Sequence, residues 1–148
     1  MGDILKIGKA KMEVLYPNKE PINDNVKNNN ALVFKFIWND FSILFTGDIE
    51  EVAEEKILSI YKNNLEKLQS TVLKVAHHGS KTSSTNSFLE AVNPQIALIG
   101  VGKNNKFGHP NQAVIDRLNN LNCKIYRTDE MGEISISVNK KHKIRVEG

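Results

Sequence analysis

The sequence has almost no cysteine: Cys123 is the only one among 148 residues. That excludes an internal disulfide and, with no CxxC pair, a cysteine-built zinc site. Long hydrophobic runs are missing too. A membrane helix needs roughly 18–20 apolar residues, and the best candidate stretch, 31–46, is broken by Lys35, Asn39 and Asp40. Met1 to Ala10 has no apolar centre of the signal-peptide kind. Taken alone, the chain reads as soluble, and any membrane-spanning partner or parent is expected to lie outside it. Strong charge is also lacking. Twenty Lys and Arg against 17 Asp and Glu leave a formal charge of +3, which tolerates a polyanionic substrate without demanding one. The one basic cluster, Lys140, Lys141, His142, Lys143 and Arg145, reads as a solvated strand end rather than a nucleic-acid site, and His142 as solvent-facing. Repeats, low-complexity tracts and linkers are absent, so residues 1–148 are taken as one unit, a domain or most of one.

What is present suits a globular core: 40% hydrophobic and 25% charged residues. Met12 to Tyr16 reads as a strand, and the Asn-rich stretch from Pro17 to Asn30 as a loop. Ala31–Trp38 and Phe41–Phe45 read as a hairpin turning at Asn39-Asp40. The period then changes. Ile49, Val52, Ala53, Ile57, Ile60 and Tyr61 recur at helical spacing. Strands are expected at 71–76, 95–101, 124–127, 133–138 and 143–146. Helices are expected from a Ser84 or Thr85 cap to Val92, and from Pro110 in a first turn to Leu121, with Asn122 as a stop. Alternating strands and helices predict an α/β layered fold.

Ligands in such folds sit beyond the carboxyl ends of strands, and three polar clusters fall there. The first is Thr46-Gly47-Asp48. Asp48 can bridge cations or cap the following helix. The second is His77-His78-Gly79-Ser80. The strand ends here, so both imidazoles can reach one site and serve as zinc ligands beside an aspartate; packing histidines are the bland alternative. The hydroxyls of Ser80, Thr82, Ser83, Ser84 and Thr85 lead into a helix whose N-terminus predicts an anion site for phosphate. The third cluster is Gly102 to Pro110, with Lys103, Asn104, Asn105 and His109. His109 can donate to an oxyanion, act as general acid or simply cap a helix. Ser80 is not a nucleophile: its surroundings lack the G-x-S-x-G elbow and an acid–base pair.

Residues 43–51 (ILFTGDIEE), 72–84 (VLKVAHHGSKTSS) and 107–110 (FGHP), with Tyr126 to Asp129 and Gly132, occur in the order seen in the C-terminal metallo-β-lactamase-like domain of ComEC/Rec2-type competence proteins. The chain resembles that family from about Asn28 to Val138. The resemblance implies a metallo-β-lactamase αββα sandwich. It implies Asp48 as the carboxylate that bridges two metals and one of His77 or His78, with His78 preferred, as a metal ligand, the other facing the substrate phosphate. His109 would join the catalytic set, with Ser80 and Asn104 contacting substrate. Zinc or manganese would occupy a two-metal centre in the intact domain, and a phosphodiester such as DNA, or a related ester, would be the substrate. The family's H-x-H-x-D-H motif is absent, because no histidine precedes His77. The chain is therefore expected to carry the C-terminal portion of the sandwich, from a bacterial cell-membrane parent, and to be inactive by itself. A non-catalytic nucleic-acid-binding or assembly module of DNA import, or a stand-alone hydrolase of small phosphoesters, are the competing readings. Half a sandwich also leaves an apolar face uncovered, so a homodimer or poor stability is expected.

Overall fold

The computed structural model describes residues 1–139 and 143–148. A seven-stranded sheet runs in sequence order: β1 (Ile4–Ile7), β2 (Ala10–Tyr16), β3 (Val33–Trp38), β4 (Phe41–Phe45), β5 (Val72–Lys74), β6 (Ile96–Ile99) and β7 (Lys124–Arg127). β1 to β4 form an antiparallel meander, and β4 to β7 run parallel. Between β2 and β3 lies the short helix α1 (Val26–Asn29). Each parallel step crosses over through a helix: α2 (Glu51–Tyr61), α3 (Asn86–Val92) and α4 (Gln112–Asn120). A final turn of helix, α5 (Thr128–Met131), leads to a separate hairpin, β8 (Ser135–Val138) with β9 (Ile144–Glu147).

The strand pleat sorts residues onto two faces. Leu44, Leu73, Ala97 and Ile99 point to one, where Ala53 and Ile57 of α2, Phe88, Leu89 and Val92 of α3, and Val114 and Leu118 of α4 complete the main core. Phe41, Val72 and Ile96 point to the other, where Ile136, Val138, Ile144 and Val146 of the β8–β9 hairpin pack over them. The hairpin covers the parallel half. Over the meander this second face continues through the cross-strand row Leu5, Met12, Phe36 and Ile43 and through Phe34, stacked on Phe45 at 4.7 Å. Leu5 is 59% exposed there. The expected open apolar face is thus found, but only over half of the sheet.

The β3–β4 hairpin turns where expected, with Asn39 in the left-handed region at φ 52°, which asparagine tolerates. Three expectations need correction. The helix α2 starts at Glu51, with Glu50 as its extended cap residue, so Asp48 is not the cap. The last long helix starts at Gln112, with Asn111 Oδ1 accepting the Ala113 N–H; Pro110 precedes the cap instead of opening the helix. β1, α1 and α5 had no counterpart in the reading. Of the basic cluster, Lys140, Lys141 and His142 lie outside the described residues. Arg145, 75% exposed, pairs with Glu147 on its own strand.

Candidate metal and phosphoester site

Because β4, β5 and β6 are parallel neighbours, their carboxyl ends deliver residues 46–48, 76–80 and 100–110 to one edge of the sheet. Backbone contacts lock the first two together. The Thr46 hydroxyl donates to the Lys74 carbonyl at 2.6 Å, and the His77 N–H donates to the Gly47 carbonyl at 3.1 Å. The third segment is pinned by Gly79, at φ 81°, where a Cβ would stand 2.7 Å from the Pro110 Cβ. The Asn111 N–H closes that contact on the Gly79 carbonyl at 2.8 Å. His77 and His78 form a kink in the 76–79 turn, both in the left-handed region with φ of 47° and 55°. That region is sparsely used by non-glycine residues and marks local strain. Its effect is to turn two successive side chains toward the same edge, which an extended strand would send apart.

His78 is oriented by its backbone neighbour. Its Nδ1 lies 2.5 Å from the Gly100 carbonyl, a pure acceptor, so Nδ1 carries the proton. Nε2 is then a free lone pair, and it lies 3.9 Å from Asp48 Oδ1. Donors about 2.1 Å from one tetrahedral ion stand roughly 3.4 Å apart, so a small closure would let both groups share a metal. A histidine donating its other ring N–H to a carbonyl is the usual support of a metal ligand. The pair fits a divalent metal in donor type and stands one small closure from sharing it. Among the described residues no group of three His, Cys, Asp or Glu converges as a complete metal site.

On that same edge His77 meets a different partner, Glu50. Its Nδ1 is 3.5 Å from Glu50 Oε1, close enough for an ion pair, yet it is buried and makes no hydrogen bond. We take the contact as electrostatic orientation, one short shift from a hydrogen bond. Glu50 itself is held firmly. Its Oε2 accepts from Asn25 at 2.6 Å, its Oε1 accepts the Thr82 hydroxyl at 2.8 Å, and its N–H donates to Asn29 Oδ1 at 3.0 Å. The Asn-rich loop, read from the sequence as a mere connection, thus braces this carboxylate.

His109 stands edge-on to His77, with ring centroids 5.8 Å apart. Burial first, and the neighbouring His77 and His78 second, hold its pKa below the ordinary histidine value, which favours a neutral ring. Asn105 shapes its loop: Oδ1 accepts the His109 N–H at 3.0 Å and Nδ2 donates to the His109 carbonyl at 2.7 Å. Asn104 stands exposed on the same loop. A cavity of about 360 Å³ opens here, lined by His78, Gly100, Val101, Asn105, Phe107 and His109. Thr128 pins the start of the loop, its Oγ1 taking the Val101 N–H at 2.7 Å and donating to the Val101 carbonyl at 2.8 Å. Arg127 and Asp129 brace that turn in a two-pronged pair, and the hydrogen bond from Arg127 depresses the Asp129 pKa.

One polar cluster differs from expectation. The α3 N-terminus is not open to phosphate. The buried carboxylate of Glu54 takes the Ser84 N–H, the Thr85 N–H and the Thr85 hydroxyl, filling it from within the protein. Ser80 is 5% exposed, and its Oγ lies 3.0 Å from the Thr82 hydroxyl. Lys74, whose pKa burial lowers against the pull of Asp48, brings a cation near the aspartate. Glu50, Glu54 and Phe107 were not singled out from the sequence. The available signals were an acid two residues after Asp48, an acid beside Ala53 on the apolar side of α2, and a lone aromatic in a polar loop.

The chain is similar to several curated proteins. It is 36% identical over 133 residues to ComE operon protein 3 of Bacillus subtilis, covering 90% of this chain and 16% of that protein. It is 35% identical over 129 residues to competence protein ComA of Neisseria gonorrhoeae, covering 86% and 18%. Recombination protein 2 of Haemophilus influenzae is 35% identical over 96 residues, covering 65% and 11%. The chain thus spans about a sixth of the length of the first of these relatives. No protein-family model matches it. Among solved structures, a crystal structure described as that of a metal-dependent hydrolase from Parabacteroides distasonis superposes with a TM-score of 0.53 at 15% identity, covering 86% of this chain and 55% of that one. The chain is a homologue of one segment of the ComEC/Rec2-type competence proteins, built on a metallo-β-lactamase-like α/β fold.

Proposed function

We propose that this segment contributes one wall of a metal-dependent phosphoester hydrolase centre within a DNA-uptake competence protein. The carrying observation is the pairing of a tautomer-fixed His78 with Asp48, 3.9 Å apart at the carboxyl edge of a parallel sheet. Asp48 and His78 would hold zinc or manganese, with further donors supplied from beyond this segment. When bound, the metal supplies Lewis-acid charge stabilisation and an activated water. The chain's own residues do the rest. His77, oriented by Glu50, faces the substrate phosphate, and neutral His109 donates an N–H to a developing oxyanion. Ser80 stiffens the His77–His78 turn through Thr82, and Asn104 stands at the substrate side of the loop. The substrate is a phosphodiester, DNA in the competence setting. The parent is a bacterial cell-membrane protein carrying this segment as a domain; no helix among the described residues is long and apolar enough to cross a membrane.

The incomplete metal set favours a second reading, a nucleic-acid-binding or assembly module without catalysis. Hydrolysis of single-stranded DNA by the full-length protein, with added Mn²⁺ or Zn²⁺, separates the two. The hydrolase reading expects cleavage that Asp48→Ala abolishes. Cleavage unaffected by Asp48→Ala, or none with an intact fold, overturns it.

A further inference from the structure

Phe107 stands beside the candidate site with 81% of its surface exposed, the most exposed of the large apolar side chains among the described residues. A folded chain gains by burying such a ring, so its placement calls for a partner. The ring is held rather than loose. It lies nearly parallel to His109, centroids 6.0 Å apart and planes 20° apart. The Phe107 N–H donates to Asn105 Oδ1 at 3.2 Å, and the same oxygen takes the His109 N–H. One asparagine therefore sets both rings. The two stacked rings stand on the rim of the 360 Å³ cavity, a volume at the low end of small-ligand pockets, roughly 300–1,000 Å³. Lys103 and Lys106, both exposed, lie on the same loop.

An exposed aromatic face on a loop that also carries two exposed lysines, next to the proposed phosphoester site, matches one chemistry. It takes the face of an unpaired nucleobase while the cations take the adjoining backbone phosphates. A paired base offers no free face, and a small phosphoester without a base has nothing to stack. We propose that Phe107 is a specificity-determining residue that stacks one unpaired nucleobase, restricting the site to single-stranded nucleic acid. This rests on the phosphoester reading above and adds its substrate class.

The test is direct binding, measured by fluorescence anisotropy in EDTA so that neither metal nor cleavage intervenes. The probes are a labelled oligothymidylate and a strand of the same length made of abasic sites. The wild-type 148-residue chain is expected to prefer the base-bearing strand. Phe107→Ala is expected to weaken that strand roughly tenfold, the loss of one stacked base, and to leave the abasic strand unchanged. Phe107→Trp is expected to retain affinity. The exposed position makes the alanine variant a safe one for folding, and circular dichroism checks it. Equal affinity of the wild type for both strands, binding to neither, or an equal loss on both in Phe107→Ala overturns the proposal. Base-dependent binding by a protein that never cleaves supports the stacking role and removes only the hydrolase reading. Cleavage with no preference for bases removes only the stacking role.

Discussion

The carboxylate of Glu54 accepts both the backbone N–H and the hydroxyl of Thr85, each at 2.8 Å, thirty-one residues away in the chain. With the Ser84 N–H it has three donors, and Glu54 is fully buried. This pairing ties α2, which follows Asp48, to the turn that follows His77 and His78. Removing the carboxylate strands buried donors, each costing about 1–3 kcal/mol. Glu54→Ala is expected to lose about 3 kcal/mol of stability in urea unfolding. A loss well under 1 kcal/mol would mean the turn is held by other contacts.

Gly79 and Pro110 meet so closely that any side chain at Gly79 collides, and the backbone there is left-handed. Gly79→Ala is expected to push the 100–110 loop away from the His77–His78 turn. The amide NMR signals of Asn105, His109 and Asn111 should then shift while those of the β1–β2 hairpin stay. Unmoved signals in the loop would contradict the packing described.

Cys123 is 6% exposed, and burial pushes its thiol pKa up to about 11. The raised value means folding favours the neutral thiol. The associated stability is present below the ordinary value of 9.0 and is lost as pH rises through about 11. The thiol is expected to resist iodoacetamide in the native chain near neutral pH and to react once denaturant is added, read by mass spectrometry. Fast native alkylation would contradict its burial.

The exposed half of the second sheet face carries Leu5 beside Met12 and Phe34. Such a face is expected to drive concentration-dependent self-association of the 148-residue chain. Sedimentation velocity should show a dimer that Leu5→Lys weakens. A stable wild-type monomer would contradict it.

Local patterns made much of the fold legible. The β3–β4 hairpin follows from two β-rich runs around Asn39-Asp40, and the α3 start follows from Thr85, whose Oγ1 accepts the Phe88 N–H. β1 was not legible because Ile4, Leu5 and Ile7 form a short, wholly exposed edge strand with no burial pattern. In the site, Asp48, His77 and His78 announced themselves by following strands, and parallel pairing brings them to one edge. Their supports did not. Glu50 is fixed by Asn25, Asn29 and Thr82, and Glu54 by Ser84 and Thr85. Those partners meet only through tertiary folding, which also turned the expected phosphate site at α3 into an internal carboxylate cap.

The central claim is that His78 and Asp48 face each other as metal ligands. Equilibrium dialysis against Zn²⁺ and Mn²⁺, with elemental analysis of the full-length protein that carries this segment and of its Asp48→Ala and His78→Ala variants, tests it most directly. The account predicts about one ion per wild-type chain and loss of that ion in either variant. A wild type that holds no metal, or variants that hold it as well as the wild type does, would contradict the account.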